Sequence, residues 1–284
     1  MASEVDTEVL SPGTRGERAS GCTVMMEALE RHWPEYLIEA ALLGAFMVAA
    51  CALGVLLEYP ESSVHLGMPD PLLRRALFGI GMGLTAIALI YSRWGKRSGA
   101  HMNPSVTLAF LSLGRVKGPD GAFYVTAQFL GAVVGVLVSW GILGARLSHP
   151  SVDFVTTQPG DRGPAVAFLA ELAISFVLMT VVLAVSASRH VRLTGLCAGL
   201  LVFVYITFEA PLSGMSMNPA RSFGSALAAG DPSALWIYFL APPLGMLLAA
   251  AMFKRPGVAG CAKLDHSPDV PCIFCGQGMP TVAE

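Results

Sequence analysis

A short sequence that occurs twice constrains the fold of this chain more than any other feature. The first copy, SGAHMNPS, occupies residues 98–105, and the second, SGMSMNPA, occupies residues 213–220. Each copy runs into an apolar stretch of about ten residues, which as a helix is roughly 15 Å long at 1.5 Å per residue. The hydrocarbon core of a bilayer is about 30 Å thick, so each stretch can cross only half of it.

The composition is that of a protein embedded in lipid. Apolar residues make up 54% of the chain and charged residues only 13%, and the mean hydropathy is +0.61. Soluble domains carry about 25% charged residues, so a water-soluble globule is excluded. The net charge is −2 and no basic block is present, which gives no support for nucleic-acid binding.

Six segments are apolar and long enough to cross a bilayer, which takes about 20 helical residues. They are Tyr36–Leu57, Leu72–Tyr91, Ala122–Leu143, Ala165–Ser186, Leu193–Ala210 and Ala234–Phe253. Lysine and arginine are concentrated after the second, fourth and sixth segments, which all end on the same side of the predicted membrane. Because basic residues favour the cytoplasmic side, we expect both termini in the cytoplasm, beneath a plasma or inner membrane.

Two shorter apolar stretches, Pro104–Leu113 and Pro219–Ala229, complete the pattern. The first follows the second span and the other follows the fifth, so they enter the membrane from opposite faces and can meet at its middle. Each half of the chain therefore reads span, span, half-helix, span, and three spans per half invert one repeat relative to the other. We predict an all-α bundle of six transmembrane helices and two half-helices.

The predicted membrane domain covers residues 34–253, with one repeat at 34–145 and the other at 160–253. Residues 1–33 are polar and of mixed charge, and they lack the apolar region of a signal peptide. We therefore predict a solvated cytoplasmic tail there, and a second cytoplasmic tail at residues 254–284.

The Asn-Pro pairs suit the start of each half-helix. Asn is a preferred N-cap residue, and Pro is favoured at the first helical position, where its missing N–H would have no partner. Each helix start carries roughly half a positive elementary charge. Two asparagine amides at mid-membrane can donate hydrogen bonds to a passing water molecule and turn its hydrogens outward, which opposes proton hopping. The residues predicted at this centre are Asn103, Pro104, Ser105, Asn218, Pro219 and Ala220.

Three charged residues fall inside the apolar regions, where each is a candidate functional group. Arg221 follows the second Asn-Pro pair, and there it can donate to neutral solutes and repel cations. Glu39 and Glu171 lie in the first span of each half. Intramembrane carboxylates can relay protons, which leaves a proton-coupled transporter as an alternative to a channel. The breaks lie in the loops rather than inside the spans, and this favours the channel.

These residues resemble the signature of the major intrinsic proteins, the family of aquaporin and aquaglyceroporin channels. The resemblance covers residues 36–253 in both halves, and MNPARSFG at 217–224 is close to the family's second motif. It implies an aquaporin-like right-handed bundle that acts as a passive water channel, excludes protons and ions, and is neither an enzyme nor dependent on a cofactor. It also implies a homotetramer in the lipid bilayer. By the same resemblance, Glu39 and Glu171 support the loops before the half-helices, and Gln128 also falls at a position where the family has such a residue. We interpret His101 as a further supporting residue of the first loop, with a gating role as the alternative.

The outer selectivity ring of that family maps onto four positions of this chain, of which the one in the second span has two candidates. They are Arg221, Ile206, Met215 and either Met82 or Phe78. Strict water channels usually have a histidine where Ile206 stands. A less polar ring would widen the range of solutes, so a facilitator of glycerol or other small uncharged molecules is the alternative to a water channel.

Five other positions can be compared with the residues that the family usually has there. Ser222, Ala226, Tyr238 and Phe239 resemble the set found in water channels, whereas glycerol channels usually carry an aspartate at the position of Ser222. These residues favour water. Ser105 departs from the alanine that the family usually has, and we expect its added hydroxyl to cause a modest change rather than loss of the pore.

The C-terminal tail contains candidate zinc ligands that do not belong to the family pattern. Cys272 and Cys275 form a C-x-x-C pair followed by glycine, and Cys261 with His266 could complete four ligands. A redox-sensing thiol pair and an inert reduced tail are the other interpretations that these residues leave open.

The zinc interpretation predicts that the purified protein contains bound metal and that Cys272→Ser lowers its content, because the substitution removes one thiolate ligand. Elemental analysis of both proteins measures this directly. An unchanged metal content would end the zinc interpretation.

Overall fold

The protein is described by a computed structural model that covers residues 21–253 and residue 264. Within these residues the regular secondary structure is helical throughout. The α-helices are α1 Gly21–Glu58, α2 Ser63–Gly67, α3 Pro71–Tyr91, α4 Arg93–Ser98, α5 Pro104–Ser112, α6 Gly118–Leu143, α7 Pro164–Ser186, α8 Thr194–Phe208, α9 Ala210–Ser213, α10 Pro219–Ala229 and α11 Leu235–Met252. Short 3₁₀ turns lie at Gly144–Arg146, Asp153–Val155 and Val191–Leu193.

Six helical segments of the described region are long and apolar enough to cross a membrane. They contain α1, α3, α6, α7, α8 and α11 and coincide with the six predicted spans, while α5 and α10 are the two predicted half-helices. The predicted fold class is therefore confirmed.

The first helix extends well beyond its predicted start. It begins at Gly21 and continues through Pro34, so residues 21–33, which were assigned to a solvated tail, are helical. Polarity alone predicted the tail, and polarity does not distinguish helix from coil. Residues 25–31 are Met, Glu, Ala, Leu and Arg, all of which have high helix propensity.

The long helices pack in one matching pair within each repeat and in one pair between the repeats. Helix α1 packs on α6, α7 packs on α11, and α3 of the first repeat packs on α8 of the second. Each half-helix crosses over: α5 packs on α11, and α10 packs on α6. The polar starts of α5 and α10 are thus surrounded by helices of both repeats, which is where irregular backbone at membrane depth is tolerated.

Glycine allows the closest of these helix contacts. A Cβ added at Gly131 of α6 would lie 2.1 Å from the carbonyl oxygen of Ala40 on α1. One added at Gly135 would lie 2.5 Å from the carbonyl oxygen of Gly44. Backbone atoms cannot move aside as a side chain can, so these glycines set the distance between α1 and α6.

We expect Gly131→Ala to lower the free energy of unfolding in detergent by about 1–3 kcal/mol, because the new methyl group overpacks the α1–α6 contact. Thermal unfolding of the purified protein measures the change. Gly141→Ala on the same helix is the matched control, since a Cβ there meets nothing within 4 Å. Equal losses in both variants would show that the close approach is not the cause.

Candidate pore and constriction

One elongated cavity of about 390 Å³ runs alongside the two half-helices. Its lining includes Arg75 near the start of α3 and Ile90 near the end of the same helix. The two positions are about 22 Å apart along the axis at 1.5 Å per residue. At one end the cavity also meets Glu58 at the end of α1, and at the other it meets Thr194 at the start of α8. It therefore follows most of the length of the bundle.

The two asparagines meet in this cavity and fix each other's loops. Asn103 Nδ2 donates to the carbonyl oxygen of Met217 at 2.7 Å, and Asn218 Nδ2 donates to the carbonyl oxygen of Met102 at 2.7 Å. Both asparagines line the cavity. The two half-helices therefore meet end to end, as the sequence predicted, and each start is tied to the loop of the other repeat.

Each asparagine is also the N-cap of its own helix. Asn103 Oδ1 accepts the Ser105 N–H at 2.8 Å, and Asn218 Oδ1 accepts the Ala220 N–H at 3.1 Å. An amide nitrogen carries two hydrogens, and the cross-loop bond uses one of them. With the oxygen turned toward the helix, the second hydrogen of each amide remains to donate to a molecule in the cavity.

Only two of the six residues predicted at the centre line the cavity. Pro104, Ser105, Pro219 and Ala220 are buried and are not part of its wall. They occupy the first two positions of α5 and α10, where their backbone forms the start of each helix. At this level the side chains of Asn103 and Asn218 reach the cavity, and the other four residues contribute the helix starts.

The loop before α5 is held by the carboxylate of Glu39, which is fully buried on α1. Its oxygens accept four hydrogen bonds from the loop and from α6. The donors are Ser98 Oγ at 2.7 Å, the His101 N–H at 3.0 Å, the Met102 N–H at 2.6 Å and Gln128 Nε2 at 2.9 Å. A carboxylate with this many donors is stable without a cationic partner.

The loop before α10 repeats the arrangement around Glu171, which is fully buried on α7. Its oxygens accept from Ser213 Oγ at 2.9 Å, from the Ser216 N–H at 2.6 Å and from the Met217 N–H at 2.7 Å. The predicted loop-supporting glutamates thus occupy equivalent places in the two repeats.

Both loops use backbone conformations that side-chain-bearing residues rarely adopt. The φ angles are +49° at Ala100 and +47° at Met102, and +51° at Met215 and +53° at Met217. Left-handed residues other than glycine cost about 1–3 kcal/mol each. They turn successive N–H groups toward the glutamates, so the buried carboxylates compensate for this strain.

Every residue predicted for the selectivity ring lines the cavity. These are Met82, Phe78, Ile206, Met215 and Arg221. Met82 and Phe78 are one turn apart on α3, and both contribute to the wall. Arg221 makes no ion pair with any described residue, and its Nη1 has no hydrogen-bond partner among them. The ring positions other than the arginine are apolar.

His101 and Gln128 connect the first loop to its half-helix. Gln128 Nε2 donates to Thr107 Oγ1 at 3.1 Å, and His101 Nδ1 lies 3.1 Å from the same hydroxyl. The His101 ring stacks on Phe110, with centroids 5.0 Å apart. These contacts agree with supporting roles, and His101 additionally lines the cavity.

Sequence reasoning missed four residues of the loop supports. Ser98 and Ser213 donate to the glutamates, while Tyr124 and Tyr238 donate from their hydroxyls to the carbonyl oxygens of those serines, at 2.7 Å and 2.5 Å. The Ser-Gly pair that begins both copies of the repeated sequence was the available signal. The candidate zinc ligands Cys261, His266, Cys272 and Cys275 lie outside the described residues.

Ser105 and Ser98 form a matched pair for testing these supports. Ser105 Oγ is buried with no hydrogen-bond partner among the described residues, whereas Ser98 Oγ donates to Glu39. We expect Ser105→Ala to raise the free energy of unfolding by about 1 kcal/mol and Ser98→Ala to lower it by about 1.5–3 kcal/mol. Thermal unfolding in detergent measures both, and a loss of stability in Ser105→Ala would contradict the assignment.

The chain is similar to known channel proteins over most of its length. Residues 29–253 match the family described as Major intrinsic protein. The probable aquaporin NIP7-1 of Arabidopsis thaliana is 31% identical over 224 residues, which covers 78% of this chain and 76% of that protein. Aquaporin-4 of Notomys alexis is 31% identical over 251 residues, covering 85% of this chain and 74% of that protein.

Two further matches differ in coverage and identity. Aquaporin NIP1-2 of Oryza sativa subsp. japonica is 39% identical, but the match spans little more than half of that protein, 56%, and 59% of this chain. The X-ray structure of the aquaglyceroporin from Plasmodium falciparum superimposes with a TM-score of 0.68 over 79% of this chain and 96% of that one. At 20% identity this likeness concerns the fold alone. With the match to residues 29–253, the chain belongs to the major intrinsic protein family, whose members are multi-pass membrane channels for water and small solutes.

Proposed function

We propose that this protein is a passive water channel with both termini in the cytoplasm. The observation that carries the proposal is a cavity among the described residues that follows most of the length of the bundle and passes both Asn103 and Asn218. Its wall combines many apolar side chains with a few polar groups, an arrangement that suits a file of small uncharged molecules.

The asparagine pair supports passage of water without protons. One amide hydrogen of each asparagine remains available toward the cavity, and the starts of α5 and α10 add a positive field at the same level. A water molecule that accepts from both amides directs its hydrogens toward the two mouths. It then has no hydrogen to donate across the centre, so a proton cannot hop through.

The loops supply acceptors for those outward hydrogens. In the second loop the N–H groups of Ser216 and Met217 are engaged by Glu171, whereas the carbonyl oxygens of Gly214, Met215 and Ser216 receive no hydrogen bond from any described residue. These three residues line the cavity. Carbonyl groups along a narrow path can replace the hydration that a water molecule leaves behind.

The glutamates do not support the proton-coupled alternative. Glu39 and Glu171 are fully buried, are engaged by several donors and do not line the cavity. A proton relay must exchange its proton with the transport path, and these carboxylates are separated from it by the loops that they hold.

Small uncharged solutes such as glycerol are the second candidate. Met82, Ile206 and Met215 give the ring an apolar wall that can contact carbon atoms, and Arg221 offers donors to hydroxyl groups. Ser222 offers no group to a solute, because its buried hydroxyl is engaged by Thr157 at 2.6 Å and by Ser216 at 2.5 Å and does not line the cavity.

Assembly and membrane placement follow the family. We propose a homotetramer in which each copy contains its own pore. Large apolar side chains on the outer faces of the spans are exposed in the single chain, among them Leu84, Leu130 and Ile142. Contact with lipid or with neighbouring copies would cover them.

The water-channel proposal predicts fast, salt-independent shrinkage of proteoliposomes in sucrose, no electrical current, and no fast reswelling in glycerol. Stopped-flow light scattering and a current recording measure these. Fast reswelling in glycerol would favour the solute facilitator, whereas uptake driven by a pH gradient would contradict a passive channel.

Arg221→Ala should raise the permeability to glycerol or to cations severalfold, because it removes an unpaired charge and bulk from the constriction. Stopped-flow reswelling and ion-flux assays test this. Arg162→Ala, at an exposed arginine outside the cavity, is the control. Unchanged selectivity in Arg221→Ala would remove the arginine from the filter.

A further inference from the structure

A second carboxyl group touches the loop support of the second repeat. Glu209 follows the end of α8, and its Oε1 lies 2.5 Å from Ser213 Oγ. The same hydroxyl lies 2.9 Å from Glu171 Oε1 and accepts the Met215 N–H at 3.1 Å. One hydroxyl group therefore connects two carboxyl groups to the backbone of Met215.

The number of hydrogens available at Ser213 indicates which of Glu171 and Glu209 is ionised. Ser213 Oγ has one hydrogen and can donate to only one of them. Glu171 also accepts two backbone N–H groups, so it is suited to be the ionised partner and the acceptor of that hydrogen. Glu209 Oε2 is buried without a hydrogen-bond partner among the described residues, which disfavours a charge there. Each of the three contacts of Ser213 Oγ has one donor and one acceptor if Glu209 is protonated and donates a hydrogen bond to this oxygen.

The first repeat contains no such group. Ser98 corresponds to Ser213, donates to Glu39 and accepts the Ala100 N–H at 3.1 Å. Four residues before it stands Trp94, which is 66% exposed, whereas Glu209 stands four residues before Ser213. The extra carboxyl thus acts on the repeat that also contains Arg221.

Other ionisable groups surround Glu209 on each packed element. Glu171 faces it from α7, Tyr205 lies one turn earlier on α8, and Tyr238 on α11 donates to the Ser213 carbonyl oxygen. Arg221 on α10 interacts with Glu171. The tyrosines are neutral near neutral pH, so the charge nearest to Glu209 is the carboxylate of Glu171.

We propose that Glu209 is a protonated positioning residue of the constriction, and that its ionisation in alkaline solution lowers the water permeability. This inference rests on the proposed water channel. Ionisation would place two like charges on one hydroxyl, and Ser213 could keep only one of its two carboxyl contacts. The backbone of Met215, which Ser213 holds, would then lose its position in the wall of a path wide enough for one molecule.

The pH profile of water permeability tests the proposal in proteoliposomes with equal pH inside and outside. We expect a severalfold fall in the wild type as pH rises from mildly acidic to alkaline. Glu209→Gln should lose this dependence, because its amide can still donate to Ser213 Oγ but cannot ionise. Glu61→Gln removes an exposed carboxyl before α2 and should keep the wild-type profile. A flat wild-type profile, or the same fall in Glu209→Gln, would overturn the proposal.

Infrared spectroscopy in heavy water tests the protonation of Glu209 without transport. We expect the carbonyl band of a neutral carboxyl group at mildly acidic pH, where an ordinary glutamate is ionised, its loss at alkaline pH, and its absence from Glu209→Gln. The wild-type difference spectrum alone decides the case if the variant does not fold, since a missing band would overturn the proposal. If the band is present but water does not pass at any pH, the proposed function fails and the proton assignment stands.

Discussion

A buried carboxylate that accepts backbone N–H groups is the interaction on which both halves of this structure depend. The loops that lead to α5 and α10 are irregular and lie at membrane depth, where an unpaired backbone group costs several kcal/mol. Glu39 and Glu171 come from the first long helix of each repeat and satisfy those groups, including residues with positive φ. Without these acceptors the half-helices could not start at the middle of the bundle.

Neither repeat forms the central site by itself. Asn103 is held by the loop of the second repeat and Asn218 by the loop of the first, and each half-helix packs on the last helix of the other repeat. These hydrogen bonds between each asparagine and the opposite loop orient both amides and leave each of them one hydrogen for the cavity. An arrangement that is fixed in this way need not reorganise when a molecule passes, which suits a fast passive channel.

The two repeats share a framework but differ in chemistry. Val106 stands in the first half-helix where Arg221 stands in the second, and both line the cavity. The second loop also has the additional carboxyl of Glu209 and hydroxyl contacts between Thr157, Ser222 and Ser216. Selectivity and any response to pH are therefore concentrated on one side of the centre, whereas the first repeat mainly contributes packing and the matching asparagine.

Local signals in the sequence determined the six spans, the two half-helices, their inversion and the caps Asn103 and Asn218, because helix length, apolar runs and Asn-Pro pairs act over a few residues. The helical nature of residues 21–33 escaped notice since polarity does not report helix propensity. Only the tertiary structure decided which side chains reach the cavity: Pro104 and Ala220 do not line it, while Ser213 and Glu209, about forty residues from Glu171 along the chain, share one hydrogen-bond chain with that carboxylate. Such contacts depend on the relative positions of packed helices, and a sequence does not display the distances between residues that are remote along the chain.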